Sequence, residues 1–354
     1  MSLPATPDDF TVQLLNQHLA RSANWEHGSF ENITISIPHG ALDGMSASVY
    51  QIDGELNAGV QMSLIAKLRD AGGSPQAVRG SHTEINFYRD IAPIAGVTTP
   101  NTYVAEFDSE KQLTLIVQEK LDSGTIGTIE TYLPTADLTR IVLALAAMHA
   151  KWWNTDELAN LDTARTFEEV FDAGAKLFKS GAYDFGRFME QYGEHVHPDL
   201  IKYFQSGNQW LDSIRAGFSS NRTLCHYDVA AKNLSLPKDL SLPPVFFDWS
   251  LLARGSIGIE LAVIVAYSLR IEEHHRIPEI LDLYLEEMRS LGVTDLSRET
   301  LWNDVRYGLL VRLAAPVALT SRNHPPAHDL APTILPRITS AVLETNAMEL
   351  LKDV

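Results

Sequence analysis

The stretch from Leu224 to Leu261 constrains this chain more than any other. His226, Asp228 and Asn233 stand close together, and after a turn-rich connection an apolar strand ends in Phe246-Phe247-Asp248-Trp249. Asp228 and Asn233 are five positions apart, and Asp248 follows Asn233 by fifteen. That order supplies what phosphoryl transfer to a hydroxyl needs. One carboxylate orients the nucleophile, while an amide oxygen and a second carboxylate hold Mg²⁺ against the phosphates of ATP. Hard oxygen donors suit that ion.

The motif is His-x-Asp-x-x-x-x-Asn and not a full protein-kinase signature, because residue 227 is Tyr rather than Arg and Asp248 leads Asp-Trp-Ser. Read with Gly255-Ser-Ile-Gly-Ile-Glu260-Leu-Ala262, it resembles the aminoglycoside phosphotransferase and choline kinase-like family, the small-molecule branch of the protein kinase-like fold. Members read His-Gly-Asp-x-x-x-x-Asn, then Ile-Asp-Trp, then Gly with Asp-Leu-Ala five positions later. Tyr227 stands where Gly is usual and Glu260 where Asp is usual; neither change removes a group that touches phosphate. Leu145-x-x-Met148-His149-Ala-x-Trp152-Trp153 adds to the resemblance, which covers roughly residues 30 to 270. It implies an α+β, bilobal fold: a small N-terminal lobe with a five-stranded antiparallel sheet plus a helix, and a larger, mainly helical C-terminal lobe. The expected divisions are a nucleotide-binding lobe over 1–118, a hinge over 119–124 and a catalytic and substrate-binding lobe over 125–354.

The patterning along the chain agrees with that order. Val12, Leu15 and Leu19 predict an amphipathic helix between Thr11 and Trp25. Ile33, Ile35 and Ile37 alternate with polar residues, as in a half-buried strand that stops at Pro38. In a kinase-like lobe the connection to the second strand covers phosphates with backbone N–H groups, and Gly40, Gly44, Ser46 and Ala47 provide small residues there. Ser48 to Ile52 reads as the second strand, with Asp53-Gly54 as a turn before the third. Along that third strand Val60, Met62, Leu64, Ala66 and Leu68 share one face, so Lys67 falls on the other.

Lys67 needs a carboxylate, and Glu84 is the candidate. Ser81-x-x-Glu84 could be a capping box, but Ser74-Pro75 offers an earlier helix start and places Glu84 in the helix interior. From there it can reach Lys67 and orient the ammonium toward the α- and β-phosphates. Asn101 to Phe107 and Gln112 to Val117 complete the strands, and Glu119-Lys120-Leu121 takes the place of the adenine-binding hinge. Helical periodicity follows, through Leu138, Ile141, Leu145 and Met148, and again from Ile277 to Leu351. The four prolines between Asn323 and Pro336 predict a loop or a broken helix.

The resulting assignment makes Asp228 the base, Asn233 and Asp248 the metal ligands, and Lys67 with Glu84 the setters of phosphate geometry. Gly44, Ser46, Ala47, Glu119 and Leu121 would line the nucleotide, ATP or alternatively GTP. His226 and Glu260 are expected to brace the loop, and Lys232 is either solvated or near the γ-phosphate. The acceptor stays open among aminoglycosides, choline-like amines, sugars and sterol-like alcohols. The interval between Asp248 and Gly255 is too short for an activation segment that would dock a protein substrate. A nucleotide-binding pseudokinase is the competing class.

Charge excludes other roles. With 28 basic against 45 acidic residues the net charge is −17, so no basic field exists for nucleic acid or an anionic membrane. Cys225 is the only cysteine, which rules out an internal disulfide and fits a reducing compartment. The first residues lack a basic start and an apolar run and do not read as a signal peptide, so a cytoplasmic protein is expected; monomer and homodimer both stay open. His195, His197, His274 and His275 do not form a complete ligand set at a recognisable zinc spacing.

Overall fold

A computed structural model describes residues 2–38, 47–69, 75–172, 184–206, 209–320 and 325–351. The chain forms two compact units. The first takes Met1–Gly124 together with Val245–Leu251, and the second takes Thr125–Pro244 with Leu252–Val354.

In the first unit α1 (Val12–Leu19) is capped by the Thr11 hydroxyl and presses Leu15 and Leu19 into the core. The sheet has β1 (Phe30–Ser36), β2 (Ser48–Leu56), β3 (Gln61–Arg69), β4 (Thr102–Asp108) and β5 (Leu113–Glu119). Its order is β1-β2-β3-β5-β4 with every neighbouring pair antiparallel. Ile52, Leu64, Ala66, Leu68, Leu115 and Val117 form the buried centre.

One expected turn is corrected. Asp53 and Gly54 lie inside β2, paired with Ser63 and Met62 of β3, and the chain reverses instead at Asn57–Gly59, where Gly59 has φ +74. Gly54 serves close packing: a Cβ there would stand 2.3 Å from the Asn32 carbonyl oxygen. A glycine inside a strand marks such an approach as readily as it marks a turn.

Helix α2 (Pro75–Asn86) runs into a single π turn, Phe87–Ile91, before Pro93. Ser74, the expected cap, is outside the described residues, as are Gly40, Gly44 and Ser46. The wide turn buries Phe87, Tyr88 and Ile91. Such turns are rare and concentrate at functional sites.

The second unit is helical around a small sheet. Helix α3 (Thr135–Trp152) buries Leu138, Ile141, Leu145 and Met148. Strands β6 (Arg165–Thr166), β7 (Thr223–Cys225) and β8 (Ala253–Gly255) pair with β8 in the middle. Short helices between Phe185 and Gly217 bury Phe188, Tyr192, Tyr203 and Phe204 as ordinary core, the Tyr203 hydroxyl donating to the Leu310 carbonyl at 2.7 Å. Helix α4 (Ile257–Ser268) is buried along its whole length. It is followed by α5 (Ile277–Ser290), α6 (Arg298–Thr320) and α7 (Pro325–Glu344).

The last of these corrects the second expectation. From Pro325 the chain is one helix that continues through Pro332 and Pro336. Each proline removes one backbone donor, but Ile334, Leu335, Ile338, Ala341 and Val342 are buried, and that apolar burial holds the helix. No described helix is long and apolar enough to cross a membrane.

Candidate active site

Each unit carries one cluster of the charged residues singled out in the sequence. In the first unit Lys67 lies on β3 between neighbours that face the core, so strand alternation turns its side chain away from Ala66 and Leu68. Its Nζ donates to Glu84 Oε2 at 2.6 Å and to Asp248 Oδ1 at 3.1 Å. Glu84 is buried in the interior of α2 and does not close a capping box; Ser81 Oγ instead accepts from the Arg69 guanidinium at 2.9 Å.

Asp248 is placed by its neighbours. Phe246 N–H donates to the Thr98 carbonyl at 2.9 Å, and the Trp249 ring stacks on Phe87 with centroids 3.9 Å apart and planes 10° apart. Asp248 itself is left-handed, with φ +64. The π turn after α2 thus provides the surface that seats the residue following Asp248. Sequence periodicity contains no sign of that contact.

Electrostatics tie these three side chains together. Burial alone would lower the Lys67 ammonium, but the Asp248 and Glu84 carboxylates outweigh it and hold the group protonated above its ordinary range. Burial pushes the Glu84 carboxyl up to about 7; Lys67 offsets only part of this, and the Asp248 charge adds to the rise. One cation is thus shared by two carboxylates, Glu84 and Asp248.

Of the remaining predicted nucleotide residues, Ala47 is half-buried just before β2. The Glu119 carboxylate accepts from Asn101 N–H at 2.8 Å, while its own N–H donates to the Asn101 carbonyl at 3.0 Å. Leu121 follows β5 and is half-buried. Gly44 and Ser46 lie outside the described residues.

In the second unit the loop after β7 presents Asp228. Its Oδ2 accepts from Lys232 Nζ at 2.6 Å and from Asn233 Nδ2 at 2.9 Å, and Asn233 Nδ2 also reaches the Asp228 carbonyl at 2.9 Å. Oδ1 has no hydrogen-bond partner among the described residues, and the side chain is 25% exposed. One oxygen is therefore fixed while the other is open to a donor.

The loop is fastened from behind by buried groups. Glu260, in the first turn of α4, accepts from His226 N–H at 2.6 Å and from Tyr227 N–H at 3.1 Å. Asp228 N–H donates to His226 Nδ1 at 3.2 Å. Tyr227 has φ +65, which explains why a glycine is usual in this motif and costs a tyrosine about 1–3 kcal/mol. His149 Nδ1 and the Tyr284 hydroxyl lie 2.8 Å apart, with His149 Nε2 3.9 Å from Glu260. Cys225 is buried beside them, and burial pushes its thiol well up, so it is a packing residue rather than a nucleophile.

Sequence reasoning missed Arg312. From α6 its guanidinium donates to the Tyr227 carbonyl, a contact spanning 85 positions for which no local pattern exists.

No family model matches the sequence, and no curated protein is similar to it in sequence. Solved structures do share its fold. Choline kinase from Cryptosporidium parvum Iowa II superposes with TM-score 0.55 at 12% identity, covering 96% of this chain and 95% of that one. The GDP complex of aminoglycoside 2'-phosphotransferase-IIIa gives 0.56 at 13% identity, covering 88% and 93%. An amicoumacin kinase in complex with AMP-PNP, Ca²⁺ and its antibiotic gives 0.55 at 12% identity, covering 93% of each. The chain therefore has the fold of the small-molecule kinases that its sequence resembles, with the five-stranded sheet in its N-terminal part and a mostly helical C-terminal part.

Proposed function

We propose that this protein is an ATP-dependent phosphotransferase that moves the γ-phosphate to a hydroxyl of a small molecule. The observation that carries the reading is the Asp228 carboxylate. Lys232 and Asn233 fix Oδ2, so Oδ1 is left to orient a hydroxyl and take its proton. Such a base is worth about 10²- to 10⁴-fold in rate.

Asn233 and Asp248 would hold Mg²⁺. Both side chains offer hard oxygens of the kind that ion takes. Bound there, the ion would neutralise phosphate charge. Lys67, kept protonated and oriented by Glu84, would bind the α- and β-phosphates; in that state it would exchange its Asp248 contact for phosphate. Ala47, Glu119 and Leu121, with Gly44 and Ser46, are proposed to line the nucleotide.

The test is Mg²⁺-dependent transfer from γ-labelled ATP, and in parallel GTP, to a panel of aminoglycosides, choline-like amines, sugars and sterols. Transfer that falls by about 10²- to 10⁴-fold in Asp228→Asn establishes the activity and names the acceptor class. Nucleotide binding without Asp228-dependent turnover overturns the reading in favour of a pseudokinase.

A further inference from the structure

Tyr227 breaks the pattern of its motif, and the chemistry proposed above gives it no role. It is 2% exposed, and each of its polar groups is engaged. Its N–H donates to Glu260, its carbonyl accepts from Arg312, and its phenol oxygen accepts from Ser256 N–H at 2.8 Å. The ring occupies the space over Gly255, where a Cβ would stand 1.9 Å from the phenol oxygen. Tyr227 and Gly255 are thus a matched pair, and neither tolerates a generic replacement of the other.

Three anchors on one residue are more than packing requires. A large side chain persists in the left-handed region only where its surroundings over-determine it. Here the φ of residue 227 sets the direction in which the chain enters Asp228, so whatever fixes that angle also fixes the carboxylate. Ser256 is the cap of α4, its hydroxyl accepting from Gly258 N–H at 3.1 Å, and Glu260 sits one turn further along. The phenol and the backbone N–H of Tyr227 are therefore fastened to one rigid buried helix, and Arg312 holds the carbonyl from another. A glycine at this position would accept the same φ but would leave the loop free to leave it.

We infer that Tyr227, held by Ser256, Glu260 and Arg312, is a positioning residue that sets the Asp228 carboxylate in its reactive orientation. The inference rests on Asp228 being the base. The phenol acts through the loop and not on substrate, so its removal lowers turnover without changing nucleotide affinity.

The experiment measures Mg²⁺-dependent ATP turnover by the full chain, with water as the probe acceptor, reading kcat and the KM for ATP separately. Intact protein, Tyr227→Phe, Asp228→Asn and the double variant form a cycle. Tyr227→Phe is expected to lower kcat about ten- to a hundredfold, as small misplacements of a reacting group do, with the KM for ATP within about twofold. In the Asp228→Asn background it should have no further effect, because two residues acting through one group are not additive.

Arg312→Gln removes the opposite anchor and should give the same loss confined to kcat, which keeps the test decisive if Tyr227→Phe does not fold. An unchanged kcat, an equal loss in the Asp228→Asn background, or kcat and KM changing together would each overturn the inference. If the intact protein shows no Asp228-dependent turnover, the base assignment has failed first and the inference falls with it. That outcome is seen before residue 227 is altered.

Discussion

The two clusters of candidate groups are held by different means. Lys67, Glu84 and Asp248 are held to one another by charge, a cation drawn to two carboxylates at 2.6 and 3.1 Å. The loop that carries Asp228 is held by backbone: Glu260 and Arg312 take the N–H and carbonyl groups before it from behind, inside the protein, while the carboxylate itself meets a cation, Lys232. A cluster held by charge is rearranged by whatever brings new charge, such as a metal ion or a phosphate. A loop held by buried backbone hydrogen bonds is not, because breaking those bonds leaves polar groups without water to replace them. The molecule combines a responsive arrangement in one unit with a rigid one in the other.

Glu260→Ala probes the rigid arrangement and should have the largest effect on stability. It strands the N–H groups of His226 and Tyr227 in a fully buried place, at about 1–3 kcal/mol each. The denaturant midpoint should fall accordingly and turnover should vanish with the loop's geometry. If Glu260→Ala unfolds at the midpoint of the intact chain, the backbone account of the loop is wrong.

Lys67→Met probes the responsive arrangement and should separate binding from folding. It leaves both carboxylates without their cation, but buried Glu84, already raised to about 7, can take up a proton, and Asp248 is 32% exposed and screened by water, so the stability cost should stay at about 1 kcal/mol at neutral pH. Affinity for ATP should drop by roughly tenfold or more through the lost charge-assisted bond to phosphate. Calorimetric titration with AMP-PNP and Mg²⁺ checks the second number, and a melt checks the first. Equal losses of stability in Lys67→Met and Glu260→Ala would erase the distinction between the two arrangements.

The contrast also explains what the sequence could reveal. Alternation along β3 places Lys67 opposite Leu64, Ala66 and Leu68, because side-chain direction in a strand is a local property. The early start of α2 similarly puts Glu84 in a helix interior. The spacing of Asp228, Asn233 and Asp248 is visible because one short loop and one strand end carry them. Arg312 is not visible, since nothing local ties it to residue 227. The left-handed φ of Tyr227 is hidden because a tyrosine gives no hint of a conformation that favours glycine. Asp53-Gly54 misleads for the converse reason: that dipeptide suits a turn, yet here the glycine serves a close approach between β1 and β2. Pro332 and Pro336 mislead in the same way, tertiary burial outweighing a local preference.

The smallest effect, and the one that sharpens the comparison most, is the dependence of stability on pH. Glu84 in the first unit is raised by burial to about 7, against an ordinary 4.5. Between those values the folded chain binds more proton there than the unfolded chain, so this group's contribution to stability falls as pH rises through the window. Lys67 is raised as well, so its contribution is fully present below its ordinary 10.5 and is flat across this range.

His274 in the second unit works in the opposite sense. Burial lowers it to about 4 from 6.5, so its contribution is present above 6.5 and is lost as pH falls toward 4. The two slopes overlap and partly cancel in the intact protein, which makes difference curves the right measurement. Melting temperature of Glu84→Gln minus intact should rise from pH 4.5 to 7, and that of His274→Gln minus intact should rise as pH falls from 6.5 to 4, each by a few degrees. Adding Mg²⁺ and AMP-PNP should flatten the first curve, because charge brought to Asp248 relieves Glu84, and should leave the second unchanged. A ligand effect on both curves, or on neither, would mean that the charge-held cluster is no more responsive than the rest of the molecule.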